Sequence, residues 1–177
     1  VDTYSPCPEG VALAEIKAAK RCGAKMLSLG DPDYPAALTD LSDAPPILWA
    51  LGNTDLMARP VIAMVGTRNA SSLGARMATR LAADLSKAGF VIVSGLARGI
   101  DALAHKAALA GGTIGVQAGG LDIMYPAENT DLAHGMAKQG LRLSEQPFGL
   151  EPQARHFPRR NRIVSGLARA VVVVEAA

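Results

Sequence analysis

"VIAMVGTRNASSLGARMATRLAADLSKAGFVIVSGLARGI", residues 61–100, holds two short apolar runs on either side of one helical stretch. "VIAMV" (61–65) and "FVIVS" (90–94) are unbroken β-branched or apolar segments, the pattern of strands buried on both faces. Between them, Leu73, Met77, Leu81 and Leu85 recur every fourth residue, while Arg76, Arg80, Asp84 and Lys87 fall off that line. This predicts an amphipathic helix over 72–88 whose apolar stripe faces the core. Ser71 or Ser72 can cap its start, and Gly89 can end it in the left-handed conformation. Strand, crossover helix and strand make the unit of a parallel sheet.

The same alternation continues towards the C-terminus. "TIGVQ" (113–117), "LRLSE" (141–145) and "AVVVVE" (170–175) read as further strands, with Gly111 and Gly140 expected to end the intervening helices as Gly89 does. The fold class is therefore α/β: a Rossmann-like, doubly wound, mainly parallel sheet with helices on both faces. Residues 1–59 differ, with a helix over Gly10–Cys22, a Pro-rich stretch and one short edge strand near 47–50. They read as a small N-terminal extension leading into the sheet, and 60–177 as the Rossmann-like domain. "VVVVEAA" stops where a strand hands over to its next loop, so the domain is expected to be truncated at its C-terminus.

Composition narrows the function classes. The 177 residues are 49% hydrophobic and 19% charged, with a formal net charge of +2, as in an ordinary folded domain. No apolar run approaches the roughly 20 residues of a membrane span, and no secretory leader is visible, so a cytoplasmic location is expected. Cys7 and Cys22 have neither metal-ligand nor disulfide-framework spacing, and the three histidines are scattered; no metal and no cofactor are expected. The charge is distributed unevenly. No acid lies between Asp55 and Asp84, where Arg59, Arg68, Arg76 and Arg80 do, nor between Glu151 and Glu175, where Arg155, Arg159, Arg160, Arg162 and Arg169 do.

In a doubly wound sheet, ligands bind beyond the carboxyl ends of the strands, so the loops after each strand carry the chemistry. In "GTRNASSLG" (66–74), Gly66 permits close approach of an anion, Arg68 offers a planar donor fork, and Ser71 and Ser72 can cap or donate. It is neither G-x-G-x-x-G nor a P-loop, and the second strand ends in Ser94 instead of a ribose-binding acid, which disfavours NAD. In "SGLARGIDALAHKAAL" (94–109), Gly95 and Gly99 clear space above a helix start. There Asp101 reads as a cap, and His105 as a buried, hydrogen-bonded histidine; no nucleophile stands beside them. In "AGGLDIMYPAEN" (118–129), Gly119 belongs to a glycine-rich turn, Tyr125 is a packing residue or a base-stacking one, and Asn129 can cap the next helix.

The fourth loop ends in "FPRRNR" (157–162), which alone fits a solvated helix start as well as an anion site. A parallel sheet makes all four loops neighbours, so together they form one basic groove suited to an extended polyanion. With aromatics at only 4%, recognition is expected to be mainly of the backbone, sequence-independent and salt-sensitive. Arg159 and Arg162 are the arginines expected to face the ligand, with Asn161 holding the loop and Arg160 turned to solvent.

"VGTRNASSLG", "SGLARGIDALAHKAAL", "GGLDIMYPAEN", "SEQPFGLEP" and "FPRRNRIVSGLARAVVVVEA", in this order and spacing, resemble the DNA-processing protein A (DprA, or Smf) family across nearly all of residues 60–176. The resemblance implies an extended Rossmann domain that binds single-stranded DNA, protects incoming strands in natural transformation and loads RecA recombinase, without catalysis. It also implies a homodimer in longer members. By motif match it places DNA contacts at Gly66, Arg68, Ser71, Ser94, Gly95, Gly99, Gly119, Tyr125, Asn129, Arg159, Asn161 and Arg162. Thr67 stands where the family usually has serine, Leu73 where it has an aromatic, and Ala118 where it often has glycine. The other reading is a nucleotide-processing phosphoribohydrolase on a similar scaffold, whose "PGGxGTxxE"-type motif is not found in the sequence.

Overall fold

A computed structural model describes residues 5–176. In chain order it contains helix α1 (Glu9–Cys22), strand β1 (Lys25–Ser28), β2 (Ile47–Gly52), β3 (Val61–Val65), α2 (Ser72–Lys87), β4 (Val91–Ser94) and α3 (Ile100–Ala108). Then follow β5 (Thr113–Val116), α4 (Thr130–Gln139), β6 (Leu141–Ser144), α5 (His156–Leu167) and β7 (Ala170–Val173). Seven strands form one sheet in the order β1-β2-β6-β5-β4-β3-β7. The pairs among β3 to β7 are parallel, whereas β1–β2 and β2–β6 are antiparallel. The mixed, mostly parallel sheet with helices on both faces is the Rossmann-like architecture expected from residues 61–100.

Alternate strand residues sort the core into its two faces. Val61 and Ala63 pack with Ile163, Val164 and Leu167 of α5, while Met64 and Ile92 pack with Ala78, Ala82, Ile100 and Ala104 of α2 and α3. The strand near residue 47 is longer than expected and is not an edge: Trp49 to Gly52 pair with β6, and β1 lies outside it. β1 escapes sequence reading because "KMLS" is short and only Leu27 of it is buried.

Helix α2 starts as expected, with the Ser71 side chain accepting from the Gly74 amide at 3.0 Å. Its packing face differs from the expected one. Leu73, Met77 and Leu81 are exposed, whereas Gly74, Ala78 and Ala82 are buried. Small residues let α2 lie close against the sheet and α3, and the longer side chains one position earlier are turned away. Of the glycines expected in the left-handed conformation, Gly89 has φ +93°. After α3 it is Gly112 (φ +93°) and not Gly111 that has it, and Gly140 is extended at φ −134°.

Candidate nucleic-acid interface

The carboxyl ends of β3 and β4, with α5, enclose a cleft of about 420 Å³ that brings together Gly66, Arg68, Gly95, Asp101, Asn161 and Arg162. Beside it, a smaller hollow of about 40 Å³ is lined by Arg68, Gly119, Tyr125 and Phe157. Arg68 is exposed, has no acidic partner among the described residues, and joins the two. Its guanidinium carbon stands 5.6 Å from the Phe157 ring centroid, within cation–π range. Tyr125, 53% exposed, has its ring centroid 5.8 Å from that of Phe157.

Phe157, which lines the smaller hollow, is not among the residues singled out from the sequence, although it leads the arginine run as its one aromatic.

Several expected contacts instead form the floor. Ser94 is fully buried and donates to the Met64 carbonyl at 2.6 Å. Asn129 is buried and does not cap α4; its amide donates to the carbonyls of Leu96 and Ala97 at 3.0 and 3.1 Å. Neither residue lines the cleft or the smaller hollow. Gly119 is buried too, since a Cβ there would lie 2.8 Å from the Leu150 carbonyl oxygen.

The loop glycines stand where the protein itself leaves no room for a side chain. A Cβ on Gly66 would crowd Ile100, one on Gly95 would enter the Arg160 guanidinium, and one on Gly99 (φ +74°) would meet the backbone of Thr67 and Arg68. Ser71 lies at the α2 N-terminus as expected, but that end is already occupied. Glu175 accepts from the Ser71 amide at 3.0 Å and its hydroxyl at 3.2 Å, so a carboxylate of the chain itself takes the place a phosphate would favour.

The arginines divide sharply. Arg159 and Asn161 are exposed, Asn161 lining the larger cleft and Arg159 neither hollow. Arg162 is paired with Glu145 and, at 2.8 Å, with Asp43, leaving its side chain 17% exposed. Arg160, expected in solvent, is 6% exposed and donates to the carbonyls of Gly95 and Val116. Its neighbour Asp101 accepts from the amides of Gly95 and Ala97 at 3.1 and 3.4 Å, capping the preceding loop. Burial pushes the Asp101 carboxyl up, and the Arg160 charge opposes this; burial likewise lowers Arg160 while Asp101 holds it up.

His105 bonds Thr113, not Asp101. The Thr113 hydroxyl donates to the Ile92 carbonyl, so Nδ1–H of His105 donates to Thr113 at 2.8 Å. Complete burial, helped by the Arg160 charge, holds this histidine neutral with its pKa lowered to about 3. The Thr113 hydroxyl beside His105 is fully buried and bonded to a backbone carbonyl. Among the described residues no group of His, Cys, Asp and Glu is placed to hold a metal, and no helix is long and apolar enough to cross a membrane.

Fold and site together define a Rossmann-like α/β protein with a basic, aromatic-flanked cleft at the carboxyl ends of its parallel strands. The family model described as DNA recombination-mediator protein A matches residues 25–177. Protein Smf of Synechocystis is 45% identical over 158 residues, covering 86% of this chain and 40% of that protein. The structure of DNA processing protein A from Streptococcus pneumoniae superposes with a TM-score of 0.82 at 38% identity, covering 94% of this chain and 62% of that one. That of DNA processing protein A from Helicobacter pylori, solved to describe its single-stranded DNA binding mode, gives a TM-score of 0.81 at 34% identity, with coverage of 86% and 69%. The chain belongs to the DNA processing protein A (DprA/Smf) family, and it spans 40% of the Synechocystis relative's length.

Proposed function

We propose that this chain binds single-stranded DNA along the strand-end cleft, largely without regard to sequence, and serves DNA processing in recombination. The observation that carries the reading is Arg68: an exposed guanidinium with no acidic partner among the described residues, standing over an aromatic ring where two hollows meet. Arg68 supplies a phosphate contact, the ring faces of Tyr125 and Phe157 receive bases, and Arg159 and Asn161 extend the path. A single strand suits such a surface, because its unpaired bases can turn towards the rings while its phosphates follow the arginine. The H. pylori relative's single-stranded DNA binding supports the same choice of ligand.

Within that function the role is protection of incoming strands during natural transformation and loading of RecA recombinase, in the cytoplasm and by a homodimer of the longer protein. It is a binding role, with no substrate turned over. Fluorescence anisotropy with oligo-dT and a duplex of equal length, over a salt series, tests the reading. Tight, salt-sensitive binding of oligo-dT with weaker duplex binding is expected. Equal affinity for both, or release of free base from a nucleotide as a phosphoribohydrolase would give, refutes it.

A further inference from the structure

A connected polar cluster lies at the floor of the cleft: Asp101 and Asn161 line it, and Arg160 is buried behind them. Gly95 has its amide on Asp101 and its carbonyl on Arg160. The same Arg160 nitrogen also donates to the Val116 carbonyl, so one guanidinium ties the end of β4 to the end of β5. Arg160 Nε donates to Asn161 at 3.2 Å. The next residues are held just as firmly: Ala97 donates to Asp101, and Asn129 holds the carbonyls of Leu96 and Ala97. Leu96 itself has φ +58°, a left-handed conformation that carries a steric cost for any residue with a Cβ.

A strained loop persists only where its surroundings over-determine it, and here five carbonyl or amide groups on three consecutive residues are tied down. What remains are the amides of Leu96, Arg98 and Gly99, which have no partner among the described residues. Leu96 and Arg98 border the smaller hollow beside Arg68, and unpaired backbone amides close together make a receptive surface for phosphate oxygens.

We propose that Arg160 is a positioning residue for single-stranded DNA binding: with Asp101 it latches the 95–99 loop in its left-handed form and so presents those amides to the strand. The inference rests on the DNA-binding reading above. Glycine is required at 95 because the guanidinium packs where a Cβ would stand. The second arginine of "FPRRNR" is thus spent inward, shaping the loop opposite.

A salt series separates positioning from direct contact. Arg160→Met should lower oligo-dT affinity by about tenfold, with a salt slope parallel to the unaltered protein's, because a buried guanidinium releases no counterion from DNA. A slope flattened by about 0.7, the signature of one lost phosphate contact on a single strand, would overturn the proposal, as would unchanged affinity. Arg160→Lys, which keeps the charge opposite Asp101, should recover part of the loss. Hydrogen exchange reads the latch without DNA: the Gly95 and Ala97 amides should exchange at least about tenfold faster in Arg160→Met, and unchanged protection refutes the latch. If that variant does not fold, the double variant Asp101→Asn, Arg160→Met, with both buried charges removed, is read instead. Failure of the unaltered protein to bind oligo-dT removes the DNA-binding reading itself, whereas exchange continues to report on the loop.

Discussion

Two arginines stand at opposite ends of the cleft, and the chain treats them differently. Arg68 is exposed, has no acidic partner among the described residues, and is backed by the Phe157 and Tyr125 rings. Arg162 sits between Glu145, itself only 9% exposed in its side chain, and Asp43, and retains 17% of its own exposure. Both come from stretches of sequence free of acids. The acids that neutralise Arg162 arrive from the loop after β6 and from the N-terminal segment, so an acid-free window in sequence is not an acid-free neighbourhood in space. One arginine is available to a polyanion, and the other is largely committed to holding α5 against its surroundings.

The largest effect should come from the committed end. Arg162→Ala leaves Glu145 nearly buried and without its partner, an arrangement that costs about 3 kcal/mol of stability when a buried pair is broken. Urea unfolding should show that loss, and a variant as stable as the parent would mean that the pair is dispensable. Arg68→Ala should leave stability within about 0.5 kcal/mol, as for a surface residue. It should weaken oligo-dT binding about tenfold, for one charged hydrogen bond, and flatten the salt slope by about 0.7. If the two variants exchanged behaviours, the distinction between the ends would be reversed. Next in size, Tyr125→Ala should lower affinity about fivefold, the low end of what a stacked base contributes. Its salt slope should not change, because the ring carries no charge. A changed slope would show that the ring's role is to hold Arg68 in place.

What the sequence made legible follows from the range of the interactions involved. The alternation of strands and helices is local, so residues 61–100 alone predicted the parallel unit, and the loops after β3, β4 and β5 did gather at one edge. The face on which α2 packs was not legible, because Gly74, Ala78 and Ala82 carry no hydrophobic signal beside Leu73, Met77 and Leu81. Only the closeness of α3 and the sheet makes small residues the right ones there. Arg160 was misread for a related reason. Apart from Asn161 beside it, its partners Gly95, Asp101 and Val116 are distant in sequence, and a run such as "PRRNR" gives no sign of which arginine turns inward. Glycine at 66, 95 and 99 did mark crowded positions, and within the chain what crowds them is Ile100, Arg160 and the 67–68 backbone.

The smallest effect tests the comparison most closely. Asp43 is 65% exposed in its side chain and is the outer of the two acids on Arg162. Asp43→Asn removes one negative charge near the cleft while Arg162 keeps Glu145. An ion pair so exposed adds little to stability, so the unfolding midpoint should barely move. If Arg162 is truly committed to the fold, oligo-dT affinity at low salt should rise by less than about twofold. The rise should fade as the Debye length shrinks from about 10 Å at 0.1 M salt to about 3 Å at 1 M, because it comes only from the general field. A rise of tenfold or more, with the salt slope steepened by about 0.7, would mean that Arg162 had swung onto a phosphate once released. Asp43 would then be a restraint on a second DNA-binding arginine, and the two ends of the cleft would differ by one removable carboxylate.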